Sequence, residues 1–106
     1  MSASEYLYLS PTGEYAKFNK LFLGKKEIYA LADFLLPRLE QEKTDWAEAI
    51  ECQWYLGALF IDGCPKEAYM TLYGWIMQAC EENEILHECK EELQAALQAD
   101  ERFQAA

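Results

Sequence analysis

Two stretches of this chain are apolar around the full turn of a helix, and they limit what it can become. Trp54-Tyr55-Leu56-Gly57-Ala58-Leu59-Phe60-Ile61 contains no polar side chain except a tyrosine hydroxyl and an indole N–H. Ala68 to Cys80 is the longest run without a charge, thirteen residues. A helix that is hydrophobic on all sides has to be buried on all sides. The chain has 106 residues, and a domain of that size hides only about two-thirds of its extended surface. One such helix fits at the centre of a small bundle, whereas two exceed what the remaining helices can cover. A membrane span needs about 20 apolar residues, so neither stretch is expected to cross a bilayer.

The rest of the chain reads as helices joined by short connections. Ser10-Pro11-Thr12-Gly13 is turn chemistry. Tyr15, Phe18, Leu21 and Phe22 then fall at helical spacing, with Gly24 to end a short leading helix. Ile28, Leu31, Ala32, Leu35, Leu36 and Leu39 form an i, i+3, i+4, i+7 stripe from about Lys26, interrupted by Pro37, where a kink or break is expected. Thr44 or Asp45 caps a third helix running to Ile61, with Glu48 placed to complete a variant capping box. Pro65 opens a fourth helix to about Glu82, and Asn83 caps a fifth carrying Ile85, Leu86, Cys89, Leu93, Ala96 and Leu97. The expectation is an all-α chain: one helical domain over 1–106, with 1–13 as a loosely packed arm. It is a small bundle of four main helices plus a short N-terminal helix, with antiparallel neighbours. Tyr6-Leu7-Tyr8-Leu9 suits a strand, but a strand without a partner is not a sheet. Gly57 and Gly74, inside helices, suggest places where two backbones cross closely.

Charge is divided unevenly along the chain. Residues 1–44 carry six acids and six bases, residues 45–106 carry thirteen acids and three bases, and the net charge is −10. That sign disfavours nucleic acid and anionic membrane as direct ligands, since both need a cationic footprint. Glu81, Glu84, Glu88 and Glu91 share one helical stripe. An acidic stripe steers an electropositive partner and speeds association more than it strengthens it. Mimicry of DNA is the sharper version. A helix over 81–102 is about 33 Å long, so its net −6 spaces charges by about 5.5 Å. Duplex DNA spaces them by about 1.7 Å, and the gap would have to be filled by Asp45, Glu48, Glu51 or a second subunit. The opening Met1-Ser2-Ala3-Ser4-Glu5-Tyr6 has an acid where an export signal has a basic flank, which points to the cytoplasm.

Cys52, Cys64, Cys80 and Cys89 are separated by 11, 15 and 8 residues, not by the short paired spacing of a zinc site. On one continuous helix His87 and Cys89 would point about 200° apart and could not grip one ion. Buried thiols are the expected role, and no metal or other cofactor is implied. His87 is the one histidine, and serines occur only at positions 2, 4 and 10, which leaves a nucleophile–histidine–acid relay a single base. The chain has no glycine-rich phosphate loop and no calcium-loop spacing. A non-catalytic role is expected.

Leu56-Gly57-Ala58-Leu59-Phe60-Ile61-Asp62-Gly63-Cys64-Pro65-Lys66-Glu67-Ala68 resembles the middle of a tetratricopeptide repeat, with its L-G, aromatic, turn glycine and E-A opening of a second helix. Asp45-Trp46-Ala47-Glu48-Ala49-Ile50 is similar to another such opening. The resemblance implies a helical-hairpin scaffold that binds peptides or helices, as in small acidic chaperones of bacterial secretion systems. The residues themselves point to a module covering an apolar, and in one version basic, segment of another protein. Its contact surface would be Trp54, Tyr55, Phe60, Tyr69, Tyr73 and Trp75, rimmed by Glu84, Glu88 and Glu91. The alternatives are an acidic inhibitor or immunity protein blocking a basic protein, and a structural homodimer that buries the surplus rings against its own copy.

Overall fold

The stripe from Ile28 to Leu39 does what its spacing requires. In the computed structural model, which describes residues 6–12, 17–54, 59–61, 63–100 and 102–104, helix α1 runs over Lys25–Glu42. Ile28, Leu31, Ala32, Leu35 and Leu39 are buried on one face. Each such aliphatic side chain contributes about 1.5–3 kcal/mol on leaving water. Pro37 does not end the helix. It lies on the exposed side, and the Arg38 guanidinium covers the same turn, donating to the Phe34 carbonyl at 3.1 Å and stacking 3.7 Å over the Phe34 ring. Lys43 ends α1 in the left-handed region at φ 56°, the conformation glycine usually supplies.

Helices α2 (Asp45–Gln53), α3 (Lys66–Glu82), α4 (Glu84–His87) and α5 (Lys90–Gln98) follow, and helix dominates the described residues as the sequence predicts. Leu72, Ile76, Ala79 and Cys80 of α3 meet the α1 stripe in one core with Leu86, Leu93 and Leu97. Asn83 is the cap its type predicts: its Oδ1 accepts from the backbone N–H groups of Ile85 (2.9 Å) and Leu86 (3.3 Å). Thr44 is the N-cap of α2, yet its buried hydroxyl has no partner. The expected fifth helix is interrupted at Glu88–Cys89, giving the one-turn α4 and then α5.

Two expectations are overturned, and both involve strands. The leading helix over 15–24 is absent from the described residues: Lys17–Phe22 is strand β2, paired antiparallel to β1 (Tyr6–Thr12) with Tyr6 opposite Phe22 and Thr12 opposite Lys17. A helix of that length is marginal alone, and the neighbouring strand offers a full set of backbone partners instead. The register shifts between Tyr8 and Pro11, where proline has no N–H to give the ladder. The third helix stops at Gln53, and Leu59–Phe60 forms β3, parallel to β1 in a sheet of order β2-β1-β3. Leu59 and Ile61 are buried while Phe60 between them is half-buried. A period of two buries alternate side chains of an apolar run that a helix would expose on one side. Of the apolar run read as the end of the third helix, Leu59 and Ile61 are taken into the core in this way.

Gly57 lies outside the described residues. Gly74 marks no crossing among the described residues: it is exposed on α3, and a Cβ there would meet none of their atoms within 4 Å. A glycine at such a position costs about 1 kcal/mol relative to alanine, with no contact among the described residues that requires it.

Candidate interaction surface

The start of α3 is held by residues from the far end of the chain. Arg102 and Asp100 are buried, and the Arg102 guanidinium donates through Nε and Nη2 to the two Asp100 carboxylate oxygens, each at 2.8 Å. Its Nη1 donates to the carbonyls of Ile61 (3.0 Å) and Cys64 (2.6 Å), just before α3 begins. The same group lies 4.4 Å from the centre of the Tyr69 ring, whose hydroxyl donates to the Leu97 carbonyl at 2.8 Å. Burial alone would pull the Arg102 pKa down, but the hydrogen bonds and charge of Asp100 hold it above its usual value. A buried pair is tolerable when each nitrogen of the guanidinium and each oxygen of the carboxylate is hydrogen-bonded in this manner. The clamp also positions the tail. Phe103 packs edge-on to Tyr73 with centroids 5.0 Å apart, and the Gln104 N–H points to the Met70 sulfur at 3.4 Å.

The rings named from sequence divide into three groups. Tyr69 is fully buried, so it belongs to the core rather than to a contact face. Its position on the stripe with Leu72 and Ile76 carried that signal. Tyr55 lies outside the described residues. Trp54, Phe60, Tyr73 and Trp75 are half-buried, and Trp54, Trp75 and Tyr73 each sit in a ring pair. Trp54 meets Tyr29 of α1 edge-on at 5.6 Å, Trp75 stacks on Trp46 of α2 at 6.2 Å, and Tyr73 meets Phe103. Gln94 and Gln98 of α5 donate to the Tyr73 hydroxyl. Tyr29, 44% exposed, and Ile85, 39% exposed, are the large apolar side chains most open to water among the described residues. Sequence reading passed over both. Tyr29 stands beside the α1 stripe rather than on it, and Ile85 is named only as one of the apolar residues of the fifth helix, not as a contact residue.

The acids do not share one helix: Glu81 lies at the end of α3, Glu84 opens α4, Glu88 lies in the turn after it, and Glu91 is in α5. Glu84, Glu88 and Glu91 are exposed. Glu81, Glu82, Asn83, Glu84, His87 and Glu88 line a shallow concavity, and His87, Glu88, Lys90, Glu91 and Gln94 line a second beside it. Lys90 pairs with Glu81, and that hydrogen bond holds the Glu81 carboxyl below its usual range. A nitrogen of His87 lies 3.3 Å from the Cys80 carbonyl. The thiols are not grouped for metal binding: no cluster able to hold an ion occurs among the described residues. Cys64, Cys80 and Cys89 are buried, and burial pushes the Cys64 and Cys80 thiols up to about 11, away from the reactive thiolate. Cys52 departs from the expectation of four buried thiols and is exposed.

No helix among the described residues is long and apolar enough to cross a membrane. No protein-family model, curated protein or solved structure matches the chain.

Proposed function

We propose that this protein is a non-catalytic, acidic interaction module, a cytoplasmic chaperone or adaptor, that covers an apolar segment of a partner polypeptide. Its helices act as an antiparallel bundle, in the manner of the helical-hairpin scaffolds its sequence resembles. The observation that carries this reading is the Tyr29–Trp54 pair. Two large rings, Tyr29 on α1 and Trp54 at the C-cap of α2, are held against each other at the surface, one of them 44% exposed. Rings of this size bury roughly 150–250 Å² each on contact, and tryptophan and tyrosine are types concentrated at the centres of interfaces. Phe60, Trp75 and Tyr73 extend the supply of half-buried aromatic surface, and Glu84, Glu88 and Glu91 set the sign of charge that approaches fastest.

The test is capture of a partner from the source lysate at about 50 and 200 mM salt, a range over which electrostatic binding weakens sharply. Wild-type protein is compared with the double variant Tyr29→Ala/Trp54→Ala, its helicity checked by circular dichroism. Retention at both salt levels, and loss in the folded variant, support apolar capture. Capture unchanged by the double variant overturns it. The gathering of exposed acids around His87 favours a second reading, an inhibitor that blocks a basic protein. Its signature is binding that disappears at the higher salt and in Glu84→Gln/Glu88→Gln/Glu91→Gln.

A further inference from the structure

We propose that the corner between Tyr29 and Trp54 receives one arginine side chain of the partner segment, with the guanidinium on the rings and its N–H groups turned to Asp33 and Glu51. This inference rests on the interaction reading above and names the side chain that anchors it. The two rings stand at 89° with centroids 5.6 Å apart, so the face of one meets the other at a right angle. A cation seated in that corner lies within about 6 Å of both centroids, the range in which a ring face attracts positive charge. The chain uses the same chemistry on itself. Arg38 covers Phe34 at 3.7 Å and Arg102 covers Tyr69 at 4.4 Å. Among the described residues no cation stands over Tyr29 or Trp54, and Tyr29 is 44% exposed.

Charge complementarity selects a cation as the occupant. The ring pair joins α1 to the end of α2 across the short connection Lys43–Thr44. Four residues from Tyr29 towards that connection comes Asp33, turned by about 40° and about 6 Å along α1. Three residues from Trp54 towards the same connection comes Glu51, turned by about 60° and about 4.5 Å along α2. Asp33 is exposed and Glu51 half-buried. Both carboxylates therefore lie on the connection side of the rings, while the chain's own Lys25 and Lys26 lie one turn beyond Tyr29 on the other side. Arginine fits this corner better than lysine. A guanidinium stacks flat on a ring and still offers its edge N–H groups to carboxylates beside it, which a compact ammonium does not. A single cation in contact with rings is screened less than separated surface charges, which accords with capture that persists at about 200 mM salt.

The probe is a blocked peptide, acetyl-Leu-Ala-Arg-Ala-Leu-amide, titrated into isotope-labelled protein beside the same peptide carrying lysine or citrulline, the neutral isostere of arginine. The NMR signal of the Trp54 indole N–H, assigned with Trp54→Phe, is the readout, and those of Trp46 and Trp75 are internal controls. The arginine peptide is expected to move it saturably, with a dissociation constant of about 1–20 mM. The citrulline peptide binds at least about fivefold more weakly, and the lysine peptide falls between them. Tyr29→Leu keeps an apolar side chain but removes the ring face, so it weakens the arginine peptide more than the citrulline one. Asp33→Asn/Glu51→Gln raises the dissociation constant at least about threefold. Glu67→Gln/Glu92→Gln, the same change of net charge at exposed sites on α3 and α5, does not. Circular dichroism confirms that each variant is folded. Equal binding of the arginine and citrulline peptides overturns the proposal and leaves apolar capture standing. So does tighter binding of lysine, indifference to Asp33→Asn/Glu51→Gln, or a Trp54 signal that no peptide moves. Failure of the interaction reading itself shows separately, in capture that ignores Tyr29→Ala/Trp54→Ala.

Discussion

The two ends of α3 use the same chemistry in opposite surroundings. At its start, a guanidinium and a carboxylate are sealed from water, and every polar atom of the guanidinium fork has an acceptor: Asp100, Ile61 or Cys64. At its end, Glu81 and Lys90 pair in the open, among Glu82, Glu84, Glu88 and Glu91. A buried pair is strong mainly in what its loss would leave behind, an uncompensated charge without water. An exposed pair surrenders little, because water and salt take over. The first end therefore organises the fold, and the second sets the field that other molecules meet.

The sharpest way to break this contrast is Arg102→Ala. It removes the cation and two side-chain donors from Asp100, which keeps the backbone N–H of residue 102, and it removes the donor from the Ile61 and Cys64 carbonyls, so urea unfolding should show a loss of about 3–5 kcal/mol. Arg102→Lys should recover little, because one ammonium cannot span the fork. If Arg102→Ala costs no more than a surface substitution, the buried end holds nothing together.

The next effect separates the ends by pH. Cys64, beside the clamp, and Cys80 are held neutral up to about 11 by burial, against 9.0 for an ordinary thiol. Their thiols ionise first in the unfolded chain. Stability is then complete below about pH 9 and falls as pH rises towards 11, by on the order of 2 kcal/mol per thiol. Urea midpoints at pH 8 and pH 11 measure this, and Cys64→Ala should reduce the fall. Glu81 runs the other way: its carboxyl is held low by Lys90, so its contribution is present above the usual carboxylate range and lost as pH drops through its lowered value. The smallest effect is Lys90→Ala. It should return the Glu81 carboxyl towards its ordinary pKa, as read by NMR titration, while the neutral-pH urea midpoint stays nearly unchanged. A large shift in that midpoint would erase the distinction between the two ends.

How far the sequence could be read follows from where each element finds its partners. α1 and α3 were legible because their buried faces repeat within a single helix, and Asn83 because a cap bonds within three residues. That the acids stay exposed was legible, since charges have no interior to enter, but the breaks that divide them among α3, α4 and α5 were not. The sheet was not, since β1 and β3 are joined by backbone groups far apart in sequence, and an apolar run such as Trp54–Ile61 fits either period. The Arg102 clamp was also hidden, because two of its acceptors are carbonyls, which every residue carries. Gly74 inside a helix suggests a crossing point, and the sequence could not convey that none of the described residues crosses there.

The parallel pairing of Leu7 with Leu59 also bears on how quickly the molecule assembles. About fifty residues of chain must be gathered before those two backbones meet, and the entropy of closing so long a loop is lost before any ladder bond repays it. The helices, built from near neighbours, form first, and the β1–β3 ladder closes over a nearly finished core. Weakening β3 should then leave the refolding rate almost untouched and appear as faster unfolding. The shortest strand in the molecule thus governs its lifetime rather than its birth.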